Sequence, residues 1–370
     1  MFNFGDFEDI YQDNTPQEPY PDFFEEWDEA LSAGRSPRFL DSEEICEVID
    51  IYFDEGELEK ARKSIRYALT FYPNDVDMVA DILLILNDFE MWEDLLTIAD
   101  DYQKQADVWL DVHRLSALLH LGMEEDAFAA FRRQQKKYEA NKDDLSILYQ
   151  AMGEALNDVD LFDAAIDVMD EAIRRMGIQV EFYWLQLRAY VLMEDKDKSL
   201  ELANKIEHTS PMDGDSWHRL GLLYAEDLEE PEKAIDAFEF AESLGYNDPE
   251  NLIQLIALYE KYGVYVKALE KLNDYLGRFE ANSMIHLMGV AICSKLENWK
   301  EALKYVNAAL RYTPDFPALY LYKSNVLYLL GEPQKAKSAL EEGLTKTIDE
   351  EERSELRKEL IKLREEFPDI

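Results

Sequence analysis

Apolar residues recur at helical spacing along most of this chain, and the spacing itself repeats. The pattern is sharpest from Ser216 onward, where Trp217, Leu220, Gly221 and Tyr224 are followed by Ala234, Phe238 and Ala241. Offsets of three and four place each set on one helix face. The two sets predict a pair of helices joined by a short turn, each burying its stripe against the other. The same positions return about every 34 residues, a period that marks stacked helical units rather than one globular core.

Read by period, the first unit runs from Ser42 to Asn74, with Tyr52, Gly56, Ala61, Ala68 and Pro73 at the key positions. Further units start near Val76, Val108, Ser146, Val180, Gly214, Pro249, Ser283 and Pro317. The second unit is degenerate, keeping Leu83, Trp92, Leu95 and Ala99. Each position has a physical reading. A small residue in the first helix (Gly153, Gly221) and an alanine in the second (Ala165, Ala234) let two helices approach closely. Gly56, Gly122, Gly263 and Gly331 end first helices in a conformation that other residues disfavour. Pro73, Pro211 and Pro314 stop second helices.

On these residues the chain resembles the tetratricopeptide repeat, over roughly residues 42–348 and about nine units. The sixth unit is the most specific match. The resemblance implies an all-α, right-handed superhelical solenoid of antiparallel helix pairs, with a groove lined by the first helices. It also implies a bacterial-type cytosolic scaffold. Residues 1–41 read as an acidic, aromatic arm with a short capping helix. Its first 28 residues hold nine acidic side chains, eight aromatic ones and no Lys or Arg. Phe23, Trp27 and Leu31 are expected to cover the first unit near Ile45, Ile49 and Tyr52, while Phe2, Phe4, Phe7 and Tyr11 are expected in a detachable segment. Residues 349–370 read as a terminal helix whose Leu356, Leu360 and Leu363 cover the last core face.

Composition narrows the function. Hydrophobic residues make up 47% of 370, so a core can be buried. The balance of 38 basic against 80 acidic residues, −42 net, disfavours nucleic acid and anionic membrane surfaces as partners. Cys46 and Cys293 are too few and too far apart in the register for a disulfide framework. The first residues lack the basic and apolar regions of a signal peptide, and no stretch approaches a membrane span, so a cytoplasmic protein is expected.

No phosphate loop, paired-cysteine, zinc-helix or serine-elbow motif occurs. His113 and His120 share a helix face, but two ligands do not make a metal site, and both read as ordinary helix-surface residues. Adjacent carboxylates such as Asp100 and Asp101 or Glu124 and Glu125 carry no catalytic information in so acidic a chain. No catalytic residue, cofactor or metal is therefore expected. In the family geometry the second, fifth, ninth and twelfth places of each first helix face the groove. They give Asp50, Trp109, Glu154, Trp184, His218, Glu260 and Tyr328 as partner-binding candidates. The clamp that some relatives use for acidic chaperone tails needs lysine at the fifth place. Here that place holds Cys46, Ala80, Val112, Gln150, Trp184, His218, Ile253, Leu287 and Leu321. An acidic groove dotted with aromatics suits a basic or apolar peptide, with Trp109 and Trp184 as anchors. The expected function is a non-catalytic interaction scaffold. The alternative is a regulatory module that senses a ligand or signalling peptide.

Overall fold

The computed structural model describes residues 20–35, 38–105, 107–347 and 349–367, and among these it contains twenty α-helices and no strand. Two compact units divide the chain, Met1–Glu194 and Asp195–Ile370. The first holds α1 (Asp22–Ser32), α2 (Ser42–Asp54), α3 (Leu58–Phe71), α4 (Val76–Asp88), α5 (Trp92–Asp101), α6 (Val108–His120), α7 (Glu124–Lys137), α8 (Lys142–Asp158), α9 (Phe162–Met176) and α10 (Val180–Leu192). The second holds α11 (Lys196–Thr209), α12 (Gly214–Glu226), α13 (Pro231–Ser243), α14 (Pro249–Lys261), α15 (Tyr265–Arg278), α16 (Ser283–Lys295), α17 (Trp299–Tyr312), α18 (Pro317–Leu329), α19 (Pro333–Lys346) and α20 (Glu350–Glu366).

Turn chemistry shows how the pairs form. Most first helices begin at an Asp or Asn whose side chain accepts from the first turn: Asp41, Asp75, Asp107, Asn141, Asp213, Asp248 and Asn282. Such caps satisfy backbone N–H groups that the helix leaves open. Second helices other than α11, which Asp195 caps, lack this cap, and they are entered from a left-handed residue. Gly56, Gly122, Gly263 and Gly331 hold that place, as the glycine pattern implies. The same backbone occurs at Glu90, Asp160, Glu229 and Glu297, with φ between 50° and 61°. There the repeat geometry overrides the local preference, at about 1–2 kcal/mol for a residue with a Cβ. Glycine's greater loss of chain entropy takes back about 0.5–1 kcal/mol. Exposed Glu297 replaced by glycine should therefore stabilise the chain by up to about 1 kcal/mol in urea unfolding. A loss would show that its side chain makes a contact worth more than the strain.

Close crossings depend on small residues. A Cβ at Gly221 in α12 would lie 2.6 Å from the Phe238 ring of α13, and one at Gly153 in α8 would lie 2.7 Å from the Met169 methyl of α9. Ala234 is fully buried one turn before Phe238, so the glycine makes room for the ring rather than for the alanine. Gly289 in α16 does the same against Tyr305 of α17, 2.6 Å away.

In the first unit, α2, α4, α6, α8 and α10 pack side by side as one layer. In the second, helices pack chiefly on their chain neighbours. Tyrosines tie successive pairs together: the Tyr224 hydroxyl donates to Glu207 at 2.7 Å, and that of Tyr259 donates to Glu239. Helix α1 occupies the position of a preceding second helix, because its Asp28 accepts from the Tyr52 hydroxyl at 2.9 Å. Its buried face is Phe24, Trp27 and Ala30, one residue round from the expected stripe; Phe23 and Leu31 are only half-buried. The expectations for Phe2, Phe4, Phe7 and Tyr11 lie outside the described residues. At the other end, α20 buries Leu356, Leu360 and Leu363 against Tyr320, Leu327, Ala336 and Leu340.

Candidate functional site

The layer of first helices in the first unit presents one face built on a fixed spacing. From α2 it takes Glu43, Glu47, Asp50 and Asp54, and from α4 Asp77, Asp81, Leu84 and Asp88, all exposed. From α6 it takes Trp109, His113, Ser116 and His120. Steps of four, three and four residues keep each set in a single row. The outward places are thus the second, sixth, ninth and thirteenth. The fifth and twelfth turn toward the neighbouring helices: Phe53 and Val112 are buried, and Cys46 and Ala80 are half-buried.

The rows lie close enough to share a field. Partial desolvation pushes the Asp50 carboxyl above its usual range, and Asp54 and Asp88 push it further. Desolvation likewise raises Asp81, helped by Asp77, Asp75 and Glu43. Asp88 of α4 also acts on His113 of α6. That imidazole is nonetheless depressed to about 4, because desolvation outweighs the attraction of Asp88 and Asp107. His113 is therefore neutral and largely buried rather than an ordinary surface residue. Two turns on, His120 stacks on Trp92 with ring centres 3.9 Å apart. None of the seven carboxylates on α2 and α4 joins an ion pair among the described residues.

The sign of this repulsion is testable. A carboxyl whose folded pKa is raised binds its proton more tightly in the folded state, so Asp50 and Asp81 oppose folding at neutral pH. That penalty fades as pH falls through their raised values. Burial works against the charge of Asp28, but hydrogen bonds from Lys60 and Tyr52 outweigh it and hold its carboxyl below the usual value. Its contribution is present above the unfolded value and is lost on acidification. Replacing Asp81 with asparagine should raise the thermal midpoint at neutral pH. The gain should vanish below the ordinary carboxylate range. A gain that persists in acid would rule out charge as its cause.

The other candidates are scattered. Trp109 is 50% exposed on α6. Along the same layer, exposed Glu154 of α8 is raised by desolvation and by Asp158, and lowered by Arg188 of α10, whose guanidinium lies 2.8 Å from Asp158. Trp184 is half-buried on α10. Three candidates belong to the second unit. His218 is only 7% exposed. Its Nδ1 meets Asn251 Oδ1 at 3.1 Å and its ring stacks on Tyr246, so it is a packing residue and not a groove contact. Tyr328 donates to Glu366 at 2.6 Å and meets the Phe367 ring edge to face, so the terminal segment occupies it. Glu260 is half-buried; desolvation raises its carboxyl and Lys295 partly opposes this. The sequence map missed Glu47, Asp54, Asp81 and Leu84, because it took the fifth and twelfth places as outward. The 3.6-residue period counted from buried Val48, Ile49 and Tyr52 would have found them.

Among the described residues no group of three or more His, Cys, Asp or Glu side chains could hold a metal ion. Both thiols are free and raised by burial, Cys46 to about 12 and Cys293 to about 11. Among the same residues no helix is long and apolar enough to cross a membrane.

Comparison with known proteins places the helical repeat. Residues 294–349 match the family model of the tetratricopeptide repeat. No curated protein matches the chain by sequence. Among solved structures, similarity extends to YrrB, described as a TPR protein with an unusual peptide-binding site, at 22% identity over 51% of this chain and 96% of that one, TM-score 0.41. A tetratricopeptide repeat protein from Parabacteroides merdae aligns at 14% identity over 74% of this chain and 99% of its own, TM-score 0.39. Naa15/Naa10 bound to HypK-THB aligns at 16% identity over 77% of this chain and 46% of that one, TM-score 0.44. Among the described residues the fold is an all-α array of antiparallel helix pairs, and residues 294–349 within it match the tetratricopeptide repeat.

Proposed function

We propose that the chain is a non-catalytic interaction protein whose first unit holds a basic polypeptide segment along α2, α4 and α6. The observation that carries this reading is the double row of seven exposed carboxylates without ion-pair partners, interrupted by Leu84 and bordered by the half-exposed Trp109. Uncompensated like charge raises the free energy of the bare face, and a cationic partner relieves it. Leu84 and Trp109 add apolar area within and beside the charged rows, where an aromatic anchor contributes most. Exposed Glu154 continues the face on α8.

The test is anisotropy of a fluorescent Lys/Arg-rich peptide against the full chain. Binding should weaken steeply with added salt, because exposed charges are screened within about 10 Å at 0.1 M. Changing both Asp50 and Asp81 to lysine should abolish it, whereas Asp126→Lys on α7 should leave it intact. Equal loss from all three changes would show only a response to net charge and would end the proposal. Salt-insensitive binding would move recognition to Leu84 and Trp109.

A further inference from the structure

A cavity of about 220 Å³ lies between α6, α7 and the turn after α5. Its lining on α6, Asp111 and Arg114, is offset from the Trp109 and His113 row, so the cavity is separate from the acidic face. In a chain of net charge −42 it is lined by four cations, Lys104, Arg114, Arg133 and Lys137, and one carboxylate, Asp111. Two of the cations are already neutralised. Arg114 Nε donates to Asp100 at 2.6 Å, and Lys137 Nζ donates to Asp111 at 2.7 Å. Asp111 is 8% exposed and also accepts from the Tyr138 hydroxyl at 2.7 Å, so Lys137 is held in place by a buried charge. Lys104 and Arg133 have no ion pair among the described residues, which leaves two uncompensated positive charges at one cavity.

Gln134 is a further polar residue at the cavity. Its side chain lines the cavity and is 7% exposed, and among the described residues its Oε1 is buried without a donor. A buried polar atom left unpaired is costly. The last-turn position of Lys136 and Lys137 on α7 follows from the helix dipole. That effect accounts for neither Arg133, a turn earlier, nor the orphaned amide.

We infer that this cavity binds a phosphate group, as the free ion or as a small phosphate monoester. A phosphate monoester carries about −1.5 to −2 charges near neutral pH, which matches the two free cations. Guanidinium and ammonium donors suit its oxygens. The volume is below the about 300 Å³ at which pockets for larger ligands begin, so the cavity holds the phosphate group and little more.

The experiment is calorimetric titration and thermal unfolding of the full chain with inorganic phosphate and with O-phosphoserine, in chloride buffer of matched ionic strength. Saturable binding and a raised midpoint are expected. Lys104→Gln and Arg133→Gln should each weaken binding about tenfold, the usual effect of losing one charge-assisted contact. Arg132→Gln, beside Arg133 and outside the cavity lining, should change nothing. Equal affinity for both probes would assign the site to the free ion, and tighter phosphoserine binding to a monoester. No saturable binding in either readout, or equal loss in Arg132→Gln and Arg133→Gln, would overturn the proposal.

Discussion

Replacing Trp27 with alanine is expected to cost the first unit about 3–5 kcal/mol. The side chain is 1% exposed, its indole N–H donates to Ser64 Oγ at 3.2 Å, and its ring meets Tyr67 edge to face at 4.9 Å. Truncation removes the largest buried side chain of α1 and leaves a cavity against α3. The neighbouring contacts set the scale. Phe24 lies 5.2 Å from Tyr52, and Asp28 accepts from Tyr52 and, at 2.7 Å, from Lys60. Once Trp27 is gone, these and the smaller contacts of Ala30, Phe23 and Leu31 hold α1. Urea unfolding followed by circular dichroism measures the loss. Phe23→Ala should cost much less, since Phe23 is only half-buried. Equal losses from the two changes would mean that α1 unpacks as a whole in both, and a negligible loss from Trp27→Ala would show that α1 does not stabilise the unit.

Leucine at Gly221 is the second large effect, a destabilisation of about 1–3 kcal/mol by overpacking. The new Cβ would meet three atoms of the Phe238 ring at 2.6–2.8 Å, and that ring is fully buried. It has nowhere to move without opening the α12–α13 crossing. Gly277, inside α15, is the control, because a Cβ there has nothing within 4 Å. Alanine at Gly277 should stabilise the chain by about 0.5–1 kcal/mol through helix propensity alone. Denaturant midpoints of the two variants should therefore move in opposite directions. A neutral Gly221→Leu would mean that the crossing yields, and the close-approach argument would fail.

The acidic face and the phosphate cavity place opposite demands on ionic strength. Binding at the face is carried by many exposed carboxylates and should be lost gradually as salt rises. Binding in the cavity depends on a few charges beside buried Asp111 and Gln134, and is screened less. A salt series on both ligands separates the two sites without any substitution.

The period of apolar and small residues was enough to determine the all-α repeat fold and the positions of most helix starts. Val76, Val108, Val180, Gly214, Pro249, Ser283 and Pro317 are first residues of helices, because caps and turn residues act over a few neighbours and are written in the chain. Trp109 and Asp50 were legible as exposed residues for the same local reason. Facing was less certain. A shift of one place around a 3.6-residue helix moves a side chain by about 100°, and this separates Phe23 from buried Phe24 and the fifth place from the exposed sixth. Only packing decided that His218 stacks inside on Tyr246, that Tyr328 is taken by Glu366, and that Asp28 acts for Tyr52 as Glu207 does for Tyr224. Each of these joins residues 17 to 38 positions apart, beyond the reach of any local pattern. The left-handed turns at Glu90, Glu229 and Glu297 were likewise set by the pairs they join, since glutamate rarely adopts that backbone on its own. The cavity lined by Lys104, Arg133 and Gln134 is also tertiary: its three walls come from separate elements, and the charge that holds Lys137 there is buried by the fold.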